Sequence, residues 1–200
     1  MPEEMFRKIV DDLSLVAYKG ILSPHSYGEP LADPRIVELM SYANSKLPHA
    51  KLVIYTSGDY LTPSLCMDLY KAGVSNYVVT QHGTNISPKL NKTFHFLKNN
   101  KKLNIRIDYK VPNSETAFST RAGLLNIQCP INTMPLCFYT RNLVVVDYKG
   151  DVILCCNDYH GEVVFGNVLN ESIYDIWNKG AFKLIRKNLR RQKYQLEICK

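Results

Sequence analysis

Six cysteines, at positions 66, 129, 137, 155, 156 and 199, are the residues of this 200-residue chain best able to do chemistry. In a reducing compartment such a set serves metal binding or catalysis more often than disulfides. Residues 150 to 157 read "GDVILCCN" and put two cysteines side by side at the end of a strand-like run. Neighbours on a strand face opposite ways, so one small site takes only one of them. Cys155 is the expected ligand and Cys156 the packing residue. Cys137 precedes Gly150 by twelve intervening residues, and Cys155 follows Gly150 after four more. A hairpin turning at Lys149-Gly150 brings Cys137 toward Cys155, with Gly150 supplying the freedom a tight turn needs. Cys199 follows a basic segment. Three thiolates so placed suit zinc or an iron–sulfur cluster, each of which takes four ligands. Cys66, inside the helical "SLCMDLY", and Cys129, in "QCP", are expected to be structural.

The elements that must position these residues fall into two styles. Met5, Phe6, Ile9, Val10, Leu13 and Val16 recur at helical spacing. A short strand at "GILS" follows, then three helices each opened by a capping residue and a proline: Asp33-Pro34, Thr62-Pro63 and Ser87-Pro88. Between them lie the strands "KLVIYTSG", "VSNYVVTQ" and "LNIRIDYK". This alternation predicts an α/β fold with a parallel sheet or (β/α) barrel, entered through a helix as though its first strand were missing. The pattern then changes. Residues 111–128 read as a connecting loop, "NLVVVDYKGDVILCC" as a β-hairpin, and a short Ser172-capped helix and a basic helix over about 181–192 complete the chain. The expected division is a partial barrel over 1–110, a loop over 111–128 and a small cysteine-bearing α+β appendix over 129–200.

Composition narrows the classes. Hydrophobic residues at 46% and charged residues at 22% fit an ordinary globular protein. No stretch approaches the roughly 18 apolar residues of a membrane helix, and the acidic start is no signal peptide, so a cytoplasmic protein is expected. The net charge of +7 is concentrated in "KGAFKLIRKNLRRQK". Only Phe182 and Tyr194 lie there for stacking on bases, so a solvated helix face is expected rather than a nucleic-acid surface.

Taken together, the run Cys-x12-Gly-x4-Cys, the segment "DYHGEVVFGNVLNESIYDIWN" and a basic helix leading to a cysteine resemble the auxiliary-cluster domain of radical S-adenosylmethionine (SAM) enzymes, the SPASM domain or its shorter twitch variant. In the first half, "SYGEPLADPRI" resembles the family's glycine-glutamate motif, which holds the amino group of SAM, and "IYTSGDYLT" resembles its third-strand segment, with Ser57 replacing Asn. "VTQHG" and "STRAGLLN" have counterparts too, and the order of the motifs is most like that of members that oxidise an aminocyclitol alcohol. The resemblance implies a radical-SAM-type barrel and a SPASM/twitch appendix. It implies cofactor contacts at Gly28, Glu29, Pro30, Ser57, Gln81 and Arg121, and auxiliary [4Fe–4S] ligands at Cys137, Cys155 and Cys199. It further implies a sugar-like, cyclitol-like or peptide substrate and an electron donor such as a flavodoxin or ferredoxin. The family's Cys-x3-Cys-x2-Cys, whose thiolates hold the [4Fe–4S] cluster that chelates SAM, has no counterpart in this chain. The chain therefore reads as clipped at both ends, competent in SAM chemistry only if those cysteines are supplied and expected to be poorly soluble alone. Two other readings stay open: a non-catalytic iron–sulfur protein with a degenerate barrel, and a zinc-stabilised binding module.

Overall fold

A computed structural model describes residues 1–82, 85–111, 137 and 139–199. The chain forms two compact units, one of Leu13–Glu115 and one of Met1–Asp12 with Thr116–Lys200. The expected loop over 111–128 falls, beyond Val111, outside the described residues, as do Arg121 and Cys129.

Helix α1 (Glu3–Leu15) opens the chain with Glu3 and Glu4 in its first turn, where carboxylates complement the helix dipole. In the first unit, strands β1 (Ile21–Leu22), β2 (Lys51–Thr56), β3 (Asn76–Thr80) and β4 (Arg106–Lys110) form one parallel sheet in chain order. Helices α2 (Ile36–Lys46), α3 (Pro63–Lys71) and α4 (Pro88–Asn99) make the crossovers. Right-handed crossovers between strands in sequential order carry every helix to the same face. Burial agrees: Tyr77 and Val79 of β3 are sealed, while Asn76, Val78 and Thr80, pointing the other way, are only half-buried. The second face presents Tyr55, Val78 and Asp108 in one register row. A parallel sheet with all its helices on one side and its other side only half-buried is the arc of a (β/α) barrel.

Two of the three cap-and-proline starts form as the sequence predicts. Thr62 Oγ1 accepts from Leu65 N at 3.2 Å, and Ser87 Oγ accepts from Leu90 N at 3.2 Å. Asp33-Pro34 departs from the expectation. Helix α2 begins two residues later, and Asp33 instead accepts from Arg35 N at 2.9 Å and pairs with the Arg35 guanidinium at 2.7 Å. An adjacent cation competes for the carboxylate that would otherwise cap the helix.

In the other unit, β5 (Val145–Val146) and β6 (Asp151–Ile153) form the expected antiparallel hairpin. Its turn is tied by Asp147 Oδ1, which accepts from Lys149 N at 2.8 Å and Asp151 N at 2.9 Å, with Gly150 at a φ of +92°. A third strand, β7 (Val164–Asn167), joins the sheet beside β6. Helix α5 (Tyr139–Asn142) precedes the hairpin, and α6 (Ile173–Asn178) and α7 (Gly180–Arg190) follow the sheet. Phe165 stacks on Phe182 with centroids 3.9 Å apart, and Trp177 meets Phe182 edge-on. The beat of the sequence groups α1 with the barrel strands, but residues Met1–Asp12 cluster with this unit. Lys8 Nζ donates to Glu171 O at 3.3 Å, and Asp12 Oδ2 accepts from Ile173 N, the first amide of α6, at 3.2 Å.

No helix of the described residues is long and apolar enough to cross a membrane.

Candidate functional site

The carboxyl ends of β1, β2 and β3 carry the first group of residues, where parallel α/β folds place their ligands. Glu29 is its hub. Oε1 accepts from Leu31 N at 3.0 Å and from Thr56 Oγ1 at 2.7 Å; Oε2 accepts from Ser57 N at 2.7 Å and Ser57 Oγ at 3.0 Å. A carboxylate has about four acceptor positions, so protein donors already fill this one. The bond to Leu31 N caps a 3₁₀ turn over Pro30–Ala32, and those to Thr56 and Ser57 tie it to the end of β2. Gly28 stands open, with nothing within 4 Å of the position a Cβ would take. Gly58 follows at a φ of +86°, and a Cβ there would meet Leu90 at 2.8 Å and Val79 at 2.9 Å. The turn after β2 is therefore restricted to glycine on two counts.

Around this hub the structure adds groups that the sequence reading passed over. His25 stacks on Tyr55 with centroids 4.5 Å apart, and its Nδ1 lies 2.9 Å from Ser23 Oγ. Partial desolvation lowers the His25 pKa, and the Glu29 charge opposes that shift. Gln81 is buried; its side-chain oxygen accepts from the Tyr109 hydroxyl, and its backbone N–H donates to Lys110 O at 2.9 Å. His82, the next residue, is exposed. Tyr55 is exposed because strand alternation points it away from the buried Ile54.

The second group is the thiols. Cys137 lies just before α5, Cys155 just past β6, and Cys199 in a terminal 3₁₀ turn over Glu197–Cys199. Thr140 Oγ1 donates to Leu154 O at 3.2 Å, fastening α5 to the end of β6 and with it Cys137 near Cys155. Cys155 Sγ accepts from Asn157 N at 3.4 Å. Burial raises the Cys155 pKa, with further upward pushes from Cys137 and Asp158. The Cys199 thiol is pushed up to about 11 by burial and by Cys155, Cys137 and Asp158. Three sulfurs thus lie within electrostatic reach of one another. Cys156 is raised by burial, then by Cys155 and Cys137, but not by Cys199. Strand alternation is not what separates the adjacent pair, because β6 ends at Ile153 and both cysteines sit in the turn beyond it. Asp158, 1% exposed, orders that turn by accepting from Glu162 N at 2.8 Å and Val163 N at 3.0 Å.

Among the described residues no three His, Cys, Asp or Glu side chains close on a single point as one metal ion requires. In an iron–sulfur cluster each thiolate binds a different iron, so its ligands stand apart. The donor set, all sulfur and electrostatically coupled, fits a cluster. Cys66 is fully buried on α3, as its helical setting predicts.

Comparisons with known proteins identify the family of the chain. A family model described as an iron–sulfur cluster-binding domain, SPASM, matches residues 137–200. Along its full length the chain is 29% identical over 203 residues to the S-adenosyl-L-methionine-dependent 2-deoxy-scyllo-inosamine dehydrogenase of Niallia circulans, covering 79% of that protein. It superposes on the crystal structure of BtrN in complex with AdoMet and 2-DOIA with a TM-score of 0.84 and 30% identity, covering all of this chain and 78% of that one. It also matches anSMEcpe with bound AdoMet at a TM-score of 0.62 and 11% identity, a likeness of fold alone, over 98% of this chain and 76% of that one. With its parallel α/β half, its small antiparallel sheet and its three coupled thiols, the chain belongs to the radical SAM family of enzymes that carry a SPASM iron–sulfur cluster-binding domain.

Proposed function

We propose that the protein serves a SAM-dependent dehydrogenation of an alcohol on a small polyhydroxylated ring, a cyclitol or sugar. The observation that carries this reading is the coupled set Cys137, Cys155 and Cys199 on a chain that is similar along its whole length to a 2-deoxy-scyllo-inosamine dehydrogenase. An alcohol becomes a ketone by losing two protons and two electrons. SAM, when bound and reduced by one electron from a [4Fe–4S] cluster, supplies a 5′-deoxyadenosyl radical that takes one hydrogen atom. The substrate radical must then shed one proton and one electron, and an iron–sulfur centre is a chemically suitable acceptor.

The chain's own residues have distinct duties in this reading. Cys137, Cys155 and Cys199 hold three irons of the auxiliary cluster. Gly28, Glu29, Pro30 and Ser57 hold the methionyl end of SAM. The Glu29 carboxylate fixes the loop to β2 and offers its charge to the ligand ammonium, while the open backbone at Gly28 permits close approach. Gln81 and Arg121 complete the contacts. A cytoplasmic setting, whose thiol pool keeps cysteines reduced, and a soluble one-electron donor accompany the reading.

The test is direct. Protein produced from its natural reading frame is loaded with iron and sulfide without oxygen, then given SAM, dithionite and 2-deoxy-scyllo-inosamine. Equal yields of 5′-deoxyadenosine and the ketone are expected. 5′-Deoxyadenosine without ketone, or neither product, rejects the proposed reaction.

A further inference from the structure

Between Asp175 and Glu197 the sequence holds seven cations and no carboxylate: Lys179, Lys183, Arg186, Lys187, Arg190, Arg191 and Lys193. The structure sorts them. Lys179 is bound to Glu171 at 2.5 Å. Arg186 turns inward, its guanidinium 3.7 Å over the Trp177 ring and donating to Trp177 O at 2.7 Å. Lys183, Lys187, Arg190, Arg191 and Lys193 are all exposed, and none appears in an ion pair among the described residues. At 100° per residue, Lys183, Lys187 and Arg190 fall in one stripe of α7, with Arg191 just past its end and Leu184, 56% exposed, beside the stripe. Behind that stripe lies the cysteine site: Cys199 shares a small cleft with Ile185, Asn188 and Leu189 of α7 and with Lys193.

We infer that this face of α7 is a docking surface for an acidic one-electron carrier of the flavodoxin type, which exchanges electrons with the centre held by Cys199. The inference rests on the proposal that an electron must leave that centre during each turnover. Charge complementarity selects the partner: uncompensated cations steer an acidic protein, and a single exposed leucine suits the apolar edge of a flavin. Weak electron-transfer encounters have small, charged interfaces of this kind, generally below about 1,200 Å². The step balances simply. One electron leaves the reduced centre, and the oxidised flavin accepts it and takes up a proton from water. A nucleic acid would also meet the charge, but the stripe offers no aromatic side chain for base stacking.

The experiment measures binding, independently of turnover. An FMN-loaded flavodoxin of net negative charge is titrated into the full chain by fluorescence anisotropy, at low and at high salt. Binding should weaken steeply with salt, and Lys183→Glu/Lys187→Glu/Arg190→Glu should weaken it by about tenfold or more. A control of equal charge change, Lys98→Glu/Lys101→Glu/Lys102→Glu, should leave it within about threefold. Circular dichroism confirms that both variants are folded, and Lys→Gln versions of the α7 triple give a milder loss in the same direction. Equal weakening by the control, no low-salt binding, preference for a [2Fe–2S] ferredoxin, or displacement by single-stranded DNA at lower concentration would each overturn the inference. Failure to form ketone, with flavodoxin binding at α7 intact, removes the dehydrogenase reading instead.

Discussion

The two sites differ in what completes them. At the strand ends, the Glu29 carboxylate has every acceptor position filled by the protein's own donors, within 3.0 Å. At the thiol site, three sulfurs repel one another once ionised, and burial resists ionisation of Cys155 and Cys199. The first carboxylate is fixed in place without a ligand, its charge left to face one. As thiolates the second set is an unfavourable gathering of like charges, which a positively charged centre makes favourable. A rigid sheet end can be built by hydrogen bonds alone, whereas a set of metal ligands is built at a cost that the metal returns.

That contrast can be broken from the thiol side first. Stripping metal from the loaded protein should abolish hydrogen-exchange protection at Asn157 N, which donates to Cys155 Sγ, because binding of a structural metal contributes on the order of 10 kcal/mol to local folding. Protection at Ser57 N, held by Glu29, should not change. Equal losses at both amides would erase the distinction.

Next in size is Glu29 itself. Glu29→Gln keeps the shape but turns an amide nitrogen toward donors on at least one side, losing charge-assisted bonds of about 1.5–3 kcal/mol each. A stability loss of about 2 kcal/mol in urea unfolding is expected. No loss would mean the four contacts are incidental. Gly58→Ala should cost about 1–3 kcal/mol, since it forces a left-handed backbone and a Cβ against Leu90 and Val79. Lowered SAM affinity should accompany the lowered stability in both variants.

The smallest effect concerns pH. The folded-state pKa of His25 is depressed, so the unfolded chain binds more protons as pH falls through the ordinary histidine range. The histidine's effect on stability therefore turns unfavourable below about pH 6.5 and levels off beneath its folded pKa. Denaturation curves for wild type and His25→Phe should diverge as pH drops, with the variant the less acid-sensitive. Parallel curves would mean that His25 titrates alike in both states.

Local signals made much of this legible. Thr62-Pro63 and Ser87-Pro88 each carry their cap within four residues, and the hairpin declares itself through Gly150 and flanking β-branched residues. Long-range partners were not legible. The bond from Ile173 N to Asp12 joins residues 161 apart, and nothing in the amphipathic pattern of α1 tells which surface it covers. Arg186 illustrates the same limit. In sequence it is one cation among seven, and only the fold places it against Trp177. Strand β7 was passed over because Gly166 interrupts its run of apolar residues, and glycine weakens a strand signal. The Cys155–Cys156 choice was reached by assuming a strand where there is a turn. As a proposal it rests instead on the electrostatic influence of Cys155, and not of Cys156, on Cys199.

That choice gives the most direct test of the central claim. Iron and sulfide are counted in the anaerobically loaded chain and in Cys155→Ala and Cys156→Ala variants of it. About four irons and four sulfides for the auxiliary site are predicted in the wild type and in Cys156→Ala, with most of both lost in Cys155→Ala. Equal retention in the two variants, or zinc bound without sulfide, would contradict the account.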